Sequence, residues 1–246
     1  MKFSVAAFMT CFNEADIIVF TIQHLINQGI GVYVIDNWST DGSPDLVREF
    51  PLVGFEKFPA DGPSQYYSWR PLLTRVEELA AASTASWCIH HDADEIRKSP
   101  VPDESLKDAF VRVQAAGYNA VDHQVLQFYP TDDLYTGDPE RHFQSFTLDH
   151  LDSKLHHVKA WRNTQRVNLT SSGGHIATFP GMHVYPERFV LKHYPIRGSV
   201  QGARKVLQER IARYDPAERA MNWHQQYEEL VRTHQWVKKS NDILVG

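Results

Sequence analysis

The chain has 246 residues, 42% of them hydrophobic and 12% aromatic, and a formal net charge of −5. That length suits one large α/β domain, and the apolar content is enough for a core and too high for disorder. The acidic balance argues against a nucleic-acid partner, and no apolar run of about 18 residues or signal-peptide pattern marks a membrane span or export. Cys11 and Cys88 both sit in apolar runs and read as buried free thiols, which favours a reducing compartment and a cytoplasmic location.

Residues 3–11, FSVAAFMTC, form a short apolar run with β-branched and aromatic members and predict a buried strand. Asn13 stands where a helix N-cap is wanted, with Glu14 and Asp16 in the first turn. Ile18, Ile22, Leu25 and Ile26 then repeat at helical spacing up to a stop at Gly29. VYVID, residues 32–36, predicts a second strand; NWSTDGS is turn chemistry, and Ser43-Pro44 pairs an N-cap with proline at the first helical position. VGFEKF gives a third strand, residues 71–82 a helix, and SWCIHH a fourth strand. The order β-α-β-α-β-α-β predicts an α/β fold with a mostly parallel central sheet flanked by helices. Further on, residues 102–117 predict a helix capped by Asp103 and stopped at Gly117. YNAVDHQVLQFYP predicts one strand and FVLKHY another, and the pattern is helical from residue 199, with a restart at Asp215-Pro216. No repeat or linker divides the chain, so it reads as a single domain.

Parallel α/β sheets bind ligands outside the carboxyl ends of their strands. Three such ends are rich in polar groups: TCFNE, DNWSTDG and HHDADE. Neither G-x-G-x-x-G nor a Walker-type loop follows any strand, so a dinucleotide dehydrogenase and a P-loop NTPase fit poorly. The third end poses a physical question, because crowded carboxylates repel one another unless a cation, a proton or a helix dipole offsets them. Asp92 and Asp94 lie on one side of an extended chain, where their oxygens can share a hard cation such as Mg²⁺ or Mn²⁺. That cation would hold a diphosphate and neutralise a leaving nucleoside diphosphate. An acidic surface turn, with Asp94 or Glu95 capping a helix, accounts for the same residues.

MTCFNEADII, VIDNWSTDGS and WCIHHDADEI, in this order and at these intervals, resemble the glycosyltransferase family 2-like proteins of the GT-A fold, a Rossmann-like architecture. The resemblance covers roughly residues 3–98; a weaker one, to a subgroup with a late His-Tyr-Pro motif, covers LKHYPIRGSVQGARK. It implies a metal-dependent, inverting transfer of a sugar from a nucleotide-diphosphate donor to a hydroxyl acceptor on a glycan, polysaccharide or lipid-linked molecule. It divides the domain into a nucleotide-sugar-binding half (1–98), an acceptor-side half (99–198) and C-terminal helices (199–246). Residue by residue, it puts Thr10 and Phe12 at the base, Asn13 and Glu14 beside the donor, and Asp36 and Asn37 at base and ribose. The family usually has a second aspartate where this chain has Asn37, which leaves the nucleobase open. Arg70 falls where a basic residue approaches the phosphates. Asp92 and Asp94 inherit the metal and sugar-nucleotide roles, with Asp94 the direct ligand, and Glu95 a donor contact. His193 is the candidate third metal ligand, and Arg197 and Lys205 candidates for the diphosphate.

His175 follows a Gly-Gly pair, which suits a loop over the donor sugar and makes it a candidate base alongside Asp122, Asp132, Asp133 and Glu187. Trp69, Tyr129, Trp161 and Tyr185 are candidates for sugar stacking or for the core. Arg204, Arg210 and Arg213 read as a solvated helix face, or as a contact with the inner membrane surface or an anionic lipid-linked acceptor. Two rival readings remain: a metal-dependent hydrolase or phosphoesterase built on HHDADE with His175 and His193, and a protein that holds a nucleotide sugar without turning it over.

Overall fold

The computed structural model describes residues 2–148, 157–221, 223–224 and 227–238. The first half follows the sequence pattern: β1 (Val5–Cys11), α1 (Ile18–Asn27), β2 (Gly31–Asp36), α2 (Ser43–Arg48), β3 (Gly54–Lys57), α3 (Trp69–Ala82) and β4 (Trp87–Asp92). These four strands lie parallel in the order β3-β2-β1-β4. β1 is buried along its whole length because both faces are covered. Val5, Ala7, Met9 and Cys11 pack with Ile18, Ile22 and Leu25 of α1, while Ala6 and Phe8 pack with Leu72, Leu73 and Val76 of α3.

The second half departs from the sequence reading. A short β5 (Glu95–Lys98) follows the acidic cluster directly, before α4 (Leu106–Ala115). The helix cap is Ser105, whose Oγ accepts from Asp108 N, while Asp103 occupies a left-handed turn at φ 60°. The run expected as one strand is two, β6 (Ala120–Val121) and β7 (His123–Phe128), and they belong to different sheets. Asp122 makes the break: its Oδ1 accepts from His123 N and His157 N. After the short α5 (Pro139–His142) come β8 (Phe146–Leu148), β9 (Ala160–Arg162) and β10 (Phe189–His193).

β9 runs antiparallel between β4 and β6 and completes a mixed, largely parallel six-stranded sheet, β3-β2-β1-β4-β9-β6. A second sheet has the order β5-β10-β7-β8. The chain therefore crosses from one sheet to the other at Ala93-Asp94, where β4 ends and β5 begins. The helical C-terminal part comprises α6 (Ser199–Ala203), a π-helical segment (Arg204–Arg210), α7 (Pro216–Ala220) and α8 (Glu228–Thr233). Asp215 caps α7 by accepting from Ala217 N, as its spacing before Pro216 predicts. Among the described residues, no helix is long and apolar enough to cross a membrane.

Trp161 is fully buried in β9, paired with Cys88 on one side and Ala120 on the other. Truncating a buried Trp to Ala costs about 3–5 kcal/mol, through lost transfer energy and the cavity left behind. Trp161→Ala is expected to lower stability by that amount in urea unfolding, because the large side chain is wholly buried in the strand that joins β4 to β6. Trp161 is thus a core residue and not a sugar-stacking one.

Candidate functional site

A cavity of about 820 Å³ opens at the carboxyl ends of β1 and β4. Strand register sets its floor: Thr10 lies opposite Asp92 in the parallel pair, and Thr10 Oγ1 donates to Asp92 Oδ1 at 3.1 Å. Of the residues singled out in the sequence, Thr10, Phe12, Glu14, Asn37, Asp92, Asp94, Glu95, His175, His193 and Lys205 all border this cavity. Residues almost two hundred positions apart in sequence thus meet in one place.

The acidic cluster is offset from within the protein. Lys159, just before β9, is buried; its Nζ donates to Asp92 Oδ2 at 2.6 Å and Glu95 Oε1 at 2.7 Å. Lys205, on the π-helical segment, is equally buried; its Nζ donates to Asp94 Oδ2 at 2.8 Å and Glu14 Oε1 at 2.7 Å. Arg97, wholly buried, adds a second cation to Glu95 at 2.6 Å. The turn at Ala93-Asp94, held by Thr21 Oγ1 on Ala93 O and by Tyr194 N on Asp94 O, separates the two carboxylates, and each has its own lysine.

Burial alone would raise the carboxyl pKa of Asp94, but Lys205, His193 and Arg197 more than reverse it, and the group lies below its ordinary range. For Asp92, burial is likewise outweighed, chiefly by Lys159, and for Glu95 by Arg97 and Lys159. Burial would lower the two lysines, yet their carboxylate partners hold both above the ordinary value.

His193 closes the site from β10. Its Nδ1 donates to Gln127 Oε1 at 2.8 Å, and its Nε2 lies 3.6 Å from Asp94 Oδ1. Among the described residues, no group of three or more His, Cys, Asp and Glu side chains converges into a metal site. Both oxygens of Asp92 are engaged, by Thr10 and Lys159. His90, also on the wall, donates from Nδ1 to Gly174 O at 3.0 Å, and burial pushes its pKa down to about 4. That bond needs Gly174 to be glycine: its φ is +91°, and a Cβ there would meet Leu73 Cδ2 at 2.8 Å and His90 Cε1 at 2.9 Å. The next residue, His175, contacts His157 Nε2 through Nδ1 at 2.9 Å.

Several expected donor contacts lie elsewhere. Arg197 is spent on the fold: its nitrogens donate to Glu14, Asp16 and Tyr194 O, and it does not reach the cavity. Arg70 is exposed and off the cavity wall. Asp36 is buried beneath the wall and accepts from Ser39 N. Asn13 is not a helix cap, since α1 begins five residues later. It sits at φ 56° with Oδ1 accepting from Thr40 N and Nδ2 donating to Glu209, so it pins the β1 loop to the β2 loop and the C-terminal part. Asp122, Asp132, Asp133 and Glu187 do not border the cavity.

Arg210, read from the sequence as a solvated face, is instead on the cavity wall. Its guanidinium lies 3.9 Å from the Tyr67 ring centre and 5.8 Å from that of Phe12. Nη1 is shut off from solvent without a hydrogen-bond partner, and no carboxylate pairs with this arginine among the described residues. The π-helical segment explains the placement. In an α-helix, residues three and four apart share a face; i→i+5 bonding stacks a residue near the fifth before it, which sets Arg210 beside Lys205. Asn37 contributes a second orphan atom: Nδ2 donates to Phe58 O, while buried Oδ1 has no partner.

The charge cluster fixes a pH dependence. Carboxylates depressed in the fold contribute stability that is complete above their unfolded pKa, about 4, and is lost as pH falls through the lower folded values. The raised lysines contribute fully below about 10.4 and lose that contribution only as pH rises through their folded values. Urea unfolding is therefore expected to show no change from this cluster between about pH 5 and 10, and a decline below about pH 4. Asp94→Asn should make the acid decline shallower.

Residues 6–64 match the family model described as Glycosyl transferase family 2. That segment holds β1, β2 and β3, hence Thr10, Phe12, Glu14 and Asn37 of the cavity. No curated protein matches the chain. Among solved structures, "Crystal Structure of a Mycobacterial Protein" is 18% identical, with 51% of this chain and 40% of that chain covered at a TM-score of 0.33. A 4-diphosphocytidyl-2C-methyl-D-erythritol synthase is 13% identical, with 65% and 75% covered at a TM-score of 0.31. The family match thus lies over residues 6–64, the part of the chain where the cavity begins, and likens that segment to family 2 glycosyltransferases.

Proposed function

We propose that the cavity takes a nucleoside-diphosphate sugar, sets its diphosphate against Arg210 and Lys205, and transfers the sugar to a hydroxyl acceptor with inversion. The observation that carries this reading is the unpaired Arg210 on the cavity wall. A guanidinium stays charged at every physiological pH, and a partly buried charge without a partner costs several kcal/mol. An anion supplied by the ligand removes that cost, and Lys205 five residues earlier adds a second positive group. Asn37 Oδ1, the other orphan, accepts an N–H from the base edge; with Nδ2 held by Phe58 O, the side chain offers only an acceptor there. Phe12, on the same wall, gives the base an aromatic face.

Asp94 and His193 are the residues that would hold Mn²⁺ or Mg²⁺ together with the diphosphate. When bound, the ion would neutralise charge on the leaving nucleoside diphosphate. The residues of the chain do the rest. As the acceptor oxygen bonds to the anomeric carbon, the bond from that carbon to the phosphate oxygen breaks, and Arg210 and Lys205 receive the negative charge. The acceptor proton goes to a wall residue. His175 serves through Nε2, since its Nδ1 is engaged with His157, whereas every carboxylate on the wall is held by a lysine.

Calorimetric titration of UDP and GDP checks the reading. Affinity should be higher with Mn²⁺ than with EDTA, and Arg210→Ala should lower it by about 10- to 100-fold, about 1.4–2.8 kcal/mol, in either condition. Equal affinity for wild type and Arg210→Ala would remove the diphosphate from this wall. Equal affinity with Mn²⁺ and EDTA would remove the metal alone.

A further inference from the structure

We infer that Trp69 and Trp223 form the acceptor seat of this cavity, and that the acceptor seated there is a neutral sugar ring. The inference rests on the reading of the cavity as a site of sugar transfer with His175 as the base. Of the four aromatic residues that the sequence offers for sugar stacking, Trp69 is the one that borders the cavity, and Trp223, from the C-terminal part, borders it too.

Position is the first support. Tyr67 lies against the Arg210 guanidinium at 3.9 Å, and its ring stacks on that of Trp69, with centroids 6.0 Å apart and planes 22° off parallel. Trp69 Nε1 donates to Gly173 O at 2.8 Å. A Cβ built on Gly173 would lie 3.9 Å from Trp223 Cε2 and 4.0 Å from His175 Cδ2, so both side chains flank the same point of the loop. The two indoles therefore stand between the cation assigned to the leaving diphosphate and the imidazole assigned to the acceptor proton, which is where an acceptor has to sit. Construction is the second support. Glu218, whose side chain is 4% exposed, accepts from Trp69 N at 2.9 Å, Arg70 N at 2.6 Å and His224 Nε2 at 2.7 Å. It thus caps α3 from 149 positions away, and its own carbonyl accepts from Trp223 N at 3.2 Å. One buried residue fixes both indoles.

The chemistry of the seat selects its occupant. A pyranose carries C–H bonds on its faces and hydroxyls around its rim, so aromatic side chains take the faces. Both indoles are half-buried, which leaves part of each ring to the cavity. An anionic acceptor would want a cation of its own. Among the described residues of the wall, the charge without a partner is Arg210, already assigned to the donor. A lipid tail would want a continuous aliphatic groove. Of the larger aliphatic side chains on the wall, Leu72 shares α3 with Trp69, whereas Val125 and Leu191 belong to the small sheet. Flat apolar faces without spare charge suit a neutral sugar.

The test is saturation-transfer NMR on the full chain, with methyl β-glucoside, methyl β-galactoside, methyl α-mannoside and N-acetylglucosamine as probes. Each is measured with and without UDP, and octyl phosphate serves as the anionic, lipid-like control. At least one sugar is expected to take up saturation through its ring C–H protons, and to bind about threefold to tenfold more weakly in Trp223→Ala and in Trp69→Ala. Trp223→Phe, which keeps a ring, should stay within about twofold of wild type; the two Trp223 variants decide the matter if Trp69→Ala fails to fold. No binding by any of the four sugars, equal binding by wild type and folded Trp223→Ala, or tighter binding of octyl phosphate than of every sugar would overturn the inference. UDP affinity is read beside it by calorimetry. Trp223→Ala should change it by less than about twofold, and a loss matching that of the sugar would move Trp223 to the donor and overturn the seat as well. Should UDP fail to bind while a sugar still depends on both indoles, the donor reading falls and the seat stands.

Discussion

Everything about this site depends on how four carboxylates are kept charged at the carboxyl ends of buried strands. Glu14, Asp92, Asp94 and Glu95 would repel one another and resist burial, and two buried lysines resolve both problems by bridging them in pairs. A buried ion pair is weak evidence for stability, since desolvation offsets much of the Coulomb gain. What the bridges do achieve is geometry. They tie β1 and β4 of the large sheet to the segment before β9 and to the C-terminal π-helical segment. Removing any member would leave a buried charge without a partner, so the arrangement is held together as a unit.

The same unit connects the two sheets. The chain leaves the large sheet at Asp92 and enters the small one at Glu95, and the two-residue turn between them carries Asp94 toward His193 on β10. The register of β5 against β10 pairs Glu95 with His193 directly. Thus Asp94 Oδ1 and His193 Nε2 come within 3.6 Å because strand pairing puts them there. On the opposite wall, the C-terminal part supplies Lys205 and Arg210 from consecutive turns of one segment. Its attachment to the first half is polar: Asn13 to Glu209 and Arg197 to Glu14 are buried, and Arg197 to Asp16 is partly so. Glu14 touches both Arg197 and Lys205, so the docking of the C-terminal part and the cavity wall share one carboxylate.

Much of this was legible in the chain. The four parallel strands followed from short apolar runs separated by helical periodicity, and strand ends rich in Thr, Asn, Asp and Glu marked the cavity floor. What escaped has a common physical cause, namely contacts between residues distant in sequence. Asn13 has the local look of a helix cap, yet Thr40 and Glu209 claim its side chain. Arg197 sits beside the late His-Tyr-Pro motif, but Glu14 and Asp16, more than 180 positions earlier, consume its donors. Arg210 was assigned outward on the assumption of α-helical spacing, which a π-helical segment does not obey. Lys159 had one signal that could have been read: a lysine within the apolar stretch Val158–Trp161 must find a carboxylate if that stretch is buried. The two-strand split of residues 118–130 also had a marker in Asp122, a carboxylate in the middle of an apolar run.

The most direct test of this account is a crystal structure with Mn²⁺ and UDP, using the anomalous signal of manganese to place the ion. The account predicts one peak in contact with Asp94 Oδ1, His193 Nε2 and the diphosphate, Lys159 still bridging Asp92 and Glu95, and the Arg210 guanidinium on a phosphate. A peak coordinated by Asp92 and Asp94 together, with Lys159 displaced, would contradict it.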